Sequence, residues 1–378
     1  MVPKMEFRIS QENFVQVLAL TQNIVERRTT MPILANVLLS VSKGTLRVSA
    51  TDLETTAVSE TKAEAVSTGS TTVSAKMLHE IVRELPPGDV HVKLGDAERL
   101  EITSGNTKMR IVGVTAEEFP ALPGIDHAVK SKISSKQLLG MINKTLYAVS
   151  TDETRFNLCG VYFEFVGSDK DKSRELRFTS TDGHRIASAT RPAETIRFEK
   201  DVSVLIPRKG LAELRRLLDG EDRLIGIDVV EGFFIVEADK TKIAMRLIDA
   251  EFPDYKQAIP GKPGEVALVR TEEFTHALKR AALVVSDRGK GVRLDFSENK
   301  LDISGSSPER GDAKESFDIE FKGQPVTLGF SAKYLQEFLA TVEDGQNVSI
   351  ELHGAEGPAR LRSEADESDF SVLMPMRL

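Results

Sequence analysis

Three stretches of this chain repeat one pattern at the spacing of whole domains, which constrains the fold more than any single motif does. They are SAKMLHEIVRELPPGDVHVKL from Ser74, PRKGLAELRRLLDGEDRLIGIDV from Pro207 and SAKYLQEFLATVEDGQNVSIEL from Ser331. Each reads as a helix start, an amphipathic helix, an acidic turn and a strand. A second helix type precedes each of them, beginning near Ser10, Ser135 and Thr271, and EEFPALP from Glu117 is echoed by AEFPDYK from Ala250. Repeats of this length are domains rather than solenoid turns, and tandem copies of one module point to symmetry. At about 150 residues per domain the length allows two or three. The repeat decides for three, 1–127, 128–260 and 261–378, with boundaries near Asp126–Lys130 and Ile259–Gly264.

Apolar residues in the helical segments recur at three- and four-residue steps, as in Phe14, Val17, Leu18, Thr21 and Val25 and in Leu211, Leu214, Leu217 and Leu218, so each helix buries one face. Ser10, Ser74, Ser135, Thr271 and Ser331 stand where N-caps belong. Between the helices lie β-rich runs such as Val37–Val41, Leu46–Ala50, Val161–Val166 and Leu176–Ser180, divided by Gly, Asp, Asn and Lys turns. The order helix, several strands, helix, several strands predicts α+β domains, each with two helices packed on antiparallel sheets and each itself a duplication.

The chemistry the sequence excludes is broad. No run of about 18 uncharged apolar residues spans a bilayer, and the first residues are too few and too weakly apolar for a signal peptide, so the cytoplasm is the expected compartment. The single cysteine, Cys159, forms no internal disulfide and reads as a small buried apolar residue. No glycine loop ends in Gly-Lys-Ser/Thr, His79-Glu80 lacks a second histidine one helical turn on, and the other histidines fall singly. No metal, cofactor or catalytic constellation is expected. The most distinctive polar cluster, Thr181-Asp182-Gly183-His184-Arg185, reads either as a turn on the rim of a binding site or as the seat of a general base at His184, the turn being the commoner outcome. The chain end is unusually apolar, with Val372, Leu373, Met374 and Met376. Either a terminal edge strand docks on its own domain or the methionines line a groove for partner peptides.

The formal charge of −8 argues against nucleic acid unless it is unevenly spread. Segments 10–28, 74–85, 135–150, 207–219, 271–288 and 331–344 together hold 14 basic and 12 acidic residues, against 36 and 46 elsewhere. The deficit lies outside the helices. Either these are ordinary solvated faces, or they share one basic surface on an acidic protein.

MPILANVLL at Met31, TDGHRIA at Thr181, AEFPDY at Ala250, GVRL at Gly291 and the terminal MPMRL at Met374 together resemble the bacterial sliding clamps, the beta subunits of DNA polymerase III, over essentially the whole chain. The resemblance implies a non-catalytic head-to-tail homodimer that closes into a ring around duplex DNA without reading sequence. It also implies tethering of the replicative polymerase, a clamp-loader ATPase and other proteins carrying a clamp-binding motif. By the family pattern a partner groove carries over to Leu158, Thr181, Gly183, His184, Arg185 and Ile186, and to Pro253, Val372, Met374, Pro375 and Met376. Gln257 and Ala258 stand where the family often has a basic residue and valine, which implies a shallower pocket. Arg28 and the Arg155-Phe156-Asn157 loop match positions that touch DNA, and Arg208, Lys209 and Arg215 on a basic helix join them. Ring closure sets Lys108 and Met109 opposite Leu283 and Val284, with Glu309, Asp312 and Glu315 as acidic counterparts. An enzyme using Asp182 and His184 in an interdomain cleft, and a protein adaptor that binds no DNA, are the competing readings.

Overall fold

The computed structural model describes residues 5–25, 31–122, 125–167, 174–193, 195–196, 198, 200–285 and 291–377. Six helices carry the repeat: α1 (Gln11–Thr21), α2 (Ala75–Glu84), α3 (Ser135–Thr145), α4 (Arg208–Leu218), α5 (Thr271–Ala282) and α6 (Ala332–Leu339). Each is entered directly from a strand: Glu6–Ser10, Gly69–Ser74, Ser131–Ser134, Val202–Pro207, Glu265–Arg270 and Val326–Ser331. Three strands follow each of them before the next leading strand, except that α1 is followed by a fourth, Glu64–Ser67, so the order strand, helix, three strands recurs six times among the described residues with this one addition. The expected order lacked the leading strand. A run such as Ser131–Ser134 is too short to announce itself by alternation.

Helix starts follow local chemistry where a side chain is within reach. Ser10 Oγ accepts from the Asn13 amide at 3.3 Å and Ser74 Oγ from the Met77 amide at 3.4 Å, each satisfying a first-turn donor. Ser135 was expected to cap and instead lies inside α3, where Asp222 Oδ1 accepts from the Lys136 amide at 3.2 Å and from both Ser134 and Ser135 hydroxyls. Thr271 is likewise the first residue of α5, and neither it nor Ser331 makes a side-chain cap bond. On α1 the residues Phe14, Val17, Leu18 and Thr21 are buried as the periodicity requires, but the helix ends at Thr21 and Ile24, rather than Val25, fills the next core position.

The chain forms two compact units. The first comprises 1–136, 195–199 and 209–247, and the second 137–194, 200–208 and 248–378, so the second repeat is divided between them. The reason is strand pairing. In the first unit Thr241–Arg246 of the second repeat pairs antiparallel with Thr55–Lys62 of the first, Met245 opposite Thr55, with the buried Ser59 and Thr241 hydroxyls 2.9 Å apart. A 13-stranded sheet results. In the second unit Arg185–Pro192 pairs with Asp366–Leu373 of the third repeat, Ile186 opposite Val372, inside an eight-stranded sheet. A four-stranded sheet in this unit packs on α5.

Each unit has its own core. α1 packs against α2 in the first and α5 against α6 in the second. Phe274, Leu278, Phe296, Phe330, Leu335 and Phe338 meet in one cluster of the second unit, each burial contributing roughly 1.5–3 kcal/mol. Gly305 admits α5 onto its sheet, for a Cβ there would lie 2.6 Å from the Ala281 carbonyl oxygen. Gly140, within α3, has open space around its missing Cβ. Two alanine substitutions should therefore have opposite signs in denaturant unfolding. Gly305→Ala should lower stability by about 1–3 kcal/mol, and Gly140→Ala should raise it by about 0.5–1 kcal/mol.

Candidate functional site

In the second unit Leu158, Ile186 and Val372 converge with Leu205, Phe252 and Tyr255 in one buried apolar cluster. Strand register places two of them side by side, since Ile186 and Val372 are direct partners. Leu158 ends the short helical segment Glu153–Leu158, just before the strand Gly160–Val166. The segment carrying Phe252 and Tyr255 is held by rings and by charge. Phe252 stacks on Tyr162 at 4.8 Å and 10°, and Tyr255 meets both edge-on. The Tyr255 hydroxyl donates to Glu164 Oε2 at 2.6 Å, while Lys256 Nζ lies 3.7 Å from Oε1 of the same buried carboxylate. Burial, then the Glu164 carboxylate, pushes the Tyr255 phenol up from its ordinary pKa, so it remains a donor. Phe252, Tyr255, Tyr162 and Leu205 were not among the expected wall residues. The AEFPDY echo contained the first two, but their packing depends on a strand about ninety residues earlier in the chain.

The rim is the turn after the strand Glu175–Thr181. The Gly183 amide donates to Thr181 Oγ1 at 3.0 Å, and the His184 and Arg185 amides donate to Asp182 Oδ1 at 3.0 and 3.2 Å. Gly183 has φ +89°, a conformation that favours glycine, and a Cβ there would displace the Arg155 guanidinium, which lies 2.4 Å away. Past the turn the Met374 amide donates to the His184 carbonyl at 3.0 Å, and the Met376 amide to that of Gly329 at 2.8 Å. The terminal strand is docked, but not at an edge. Val372 and Leu373 are buried in a strand that is interior to its sheet rather than at an edge, and Met374 and Met376 beyond it are exposed. His184, Pro253, Gln257 and Ala258 are exposed and Pro375 is half-buried, while Gln257 donates to Asp254 Oδ2 at 2.9 Å.

Arg185 is buried beneath the turn. Its side chain is 4% exposed and turns away from solvent, donating to Asp182 Oδ2 at 3.0 Å and to the Tyr147 carbonyl at 2.6 Å. It lies 2.6 Å from Glu337 and over the rings of Tyr334 and Tyr147. It supports the rim from within and offers no charge to a ligand.

His184 is exposed, with its backbone serving the turn. Among the described residues no group of three or more His, Cys, Asp or Glu is placed to hold a metal ion. Burial, with Asp152 and Glu153 nearby, pushes the Cys159 thiol up, away from the thiolate a nucleophile needs.

Of the residues expected to meet DNA, Arg28 lies outside the described residues. Arg155 donates to the Asp182 carbonyl at 3.0 Å, Phe156 is 59% exposed, and Asn157 reaches the Glu251 carbonyl at 3.5 Å. Arg208 and Arg215 are exposed on α4. Lys209 Nζ sits 2.5 Å from Asp52 Oδ2, a carboxylate 2% exposed, so its charge is engaged within the first unit. At the expected contact between copies, Lys108 and Met109 lie on the strand Thr107–Val114, which pairs with Arg99–Ser104 on one side and meets Gly69–Ser74 on the other only through Gly113 and Val114. Met109 and Val112 are exposed there. In the second unit Gly311–Asp318, which contains Asp312 and Glu315, is the outer strand of its sheet. Glu309 lies in the turn before it, Leu283 is 73% exposed just past α5, and Val284 is half-buried. Glu315 is held by Arg280 of its own chain.

Comparison with known proteins agrees with this arrangement. Residues 5–123, 132–254 and 256–377 match the N-terminal, central and C-terminal domains of the DNA polymerase III beta subunit. The chain is 30% identical to the beta sliding clamp of Vibrio cholerae over 375 residues and 31% identical to that of Escherichia coli K12 over 377, covering 99% of this chain and 100% of each relative. Its structure is similar to that of the Bartonella birtlesii sliding clamp bound to griselimycin, with TM-score 0.93, 30% identity and coverage of 99% and 100%. The clamp of Caulobacter crescentus gives TM-score 0.90 at 30% identity, with the same coverage. With every repeat matched in order and full-length relatives at this identity, the chain belongs to the DNA polymerase III beta subunit family, the bacterial beta sliding clamps.

Proposed function

We propose that two copies of this chain pair head to tail into a closed ring around duplex DNA, and that the ring tethers a replicative polymerase to its template without doing chemistry of its own. Tethering converts repeated rebinding into a local event at high effective concentration. The observation that carries the ring is that, among the outer edges of the described strands, Thr107–Val112 in one unit and Gly311–Asp318 in the other are left without a partner strand. An unpaired edge is a template for another strand, and two different edges on one chain make a heterologous contact that closes when the rotation allows. Exposed Met109, Val112 and Leu283 supply apolar area beside them. The expected domains 1–127, 128–260 and 261–378 fit this reading, supported by the three consecutive family stretches.

The helical segments are richer in bases than the acidic remainder of the chain. Helices facing the duplex would attract phosphates without reading bases, and the acidic remainder would repel DNA elsewhere. The apolar cluster around Leu158, Ile186 and Val372, with Met374 and Met376 beside it, suits short apolar peptide segments of a polymerase, a clamp-loader ATPase and other replication or repair proteins. Relatives from Bartonella birtlesii and Pseudomonas aeruginosa have been solved bound to griselimycin, a ligand we assign to this groove. The ring acts in the cytoplasm.

A ring has a topological signature. Protein loaded onto circular DNA should remain bound through a high-salt wash and be lost once the circle is cut, whereas electrostatic binding alone collapses with salt on both substrates. Replacing Leu283 and Val284 together by Asp should give monomers in sedimentation at sub-micromolar concentration. A dimer at that concentration would remove these residues from the contact.

A further inference from the structure

The two repeat junctions contain the same turn, and they neutralise it in opposite ways. In the first unit Asp52 Oδ1 accepts from the Glu54 and Thr55 amides at 3.0 and 2.6 Å, and the Leu53 amide donates to Thr51 Oγ1 at 3.0 Å. The other Asp52 oxygen takes its cation from the next repeat, Lys209 on α4. In the second unit Asp182 makes the same amide contacts, but Arg185, at the position of Thr55, brings the cation within the turn itself. The next repeat then supplies an anion, Glu337 on α6, 2.6 Å from Arg185 Nη1. Aligning PRKGLAEL with SAKYLQEF sets Lys209 against Lys333 and Glu213 against Glu337. Glu213 is spent on Arg216 along its own helix. An inward contact at this helix position is therefore not a general property of the repeat, and it accompanies Arg185.

We infer that Glu337 is a positioning residue for the partner groove, acting through Arg185 and touching no ligand itself. The inference rests on the groove reading proposed above. Arg185 Nη1 and Glu337 Oε2 are both shut off from solvent and make no hydrogen bond to another group, so the ion contact between them is what compensates each of these two atoms, although the Glu337 side chain as a whole is 32% exposed and Asp182 also faces the guanidinium. The ring of Tyr334, 4.1 Å from the guanidinium, fixes its plane. What Arg185 fixes in turn is the rim and wall. Its neighbour His184 holds Met374 by a main-chain hydrogen bond, and its other neighbour Ile186 faces Val372. The second contact of Glu337, to Lys333 Nζ at 3.8 Å, is an exposed pair one helical turn away, a type that contributes little. The effect thus runs inward to the groove rather than outward to the helix surface.

The test is a titration of full-length protein with griselimycin, in wild type and in E337Q, R185Q, the double variant E337Q/R185Q, K333Q and M374A. E337Q, which keeps the shape and removes the charge, should weaken binding about tenfold with unchanged circular dichroism. In the R185Q background the same change should cost less than about twofold, and K333Q should stay within about twofold of wild type. A merely structural role would not make the Glu337 effect depend on Arg185. The role of Glu337 is overturned if E337Q binds as wild type while M374A loses affinity, or if E337Q costs as much without Arg185 as with it. If neither M374A nor E337Q changes binding, the groove assignment itself has failed. Should E337Q not fold, Tyr334→Leu decides in its place, because it keeps the carboxylate and removes the ring that orients the guanidinium: weaker binding supports the role, and unchanged binding overturns it.

Discussion

Main-chain pairing across the repeat junctions is the interaction on which the rest depends. Where Thr241–Arg246 meets Thr55–Lys62 and where Arg185–Pro192 meets Asp366–Leu373, the strands of successive repeats share one ladder. Such a ladder satisfies backbone groups that a domain surface would otherwise leave to water, and it fixes register to the residue, since a slip by one would turn every side chain to the other face. The compact units consequently cut across the repeats. The same ladder brings Ile186 beside Val372, so this part of the apolar cluster is a by-product of how two repeats are joined.

Two carboxylates flank the apolar cluster, Glu164 buried and Glu337 half-buried with its Oε2 shut off from solvent. Glu164 anchors Tyr255 and Lys256 on one side, and Glu337 anchors Arg185 on the other. Buried charge is costly and is tolerated only where paired. The first junction has the same turn without this arrangement. Leu53 stands where Gly183 gives the chain room, with φ +76°, and Lys209 binds Asp52 directly. The two junctions share a turn and differ in what neutralises it.

Much of the fold was legible because its determinants are local. Helix faces showed in three- and four-residue steps, the Ser10 and Ser74 caps act within one turn of their own helices, and the repeat supplied the domain count. What escaped depends on distant partners. Nothing near Ser135 says that Asp222 will cap its helix, and four-residue strands are too short to show a period. The polar cluster at Thr181 was visible, and so were the apolar residues at the chain end. Arg185, however, looks like a surface residue unless Tyr334 and Glu337 are brought to it. The groove residues beyond that cluster and the chain end came from likeness to a family, because no periodicity or spacing joins Leu158 to Met376.

The central claim is that two copies meet at their unpaired edges and enclose a space that admits a duplex. Electron micrographs of the purified protein, averaged over single particles, test it most directly. The account predicts a closed particle of two copies with a central opening wider than double-stranded DNA. A solid particle, or single copies with no enclosed opening at concentrations well above the dimer threshold, would contradict it.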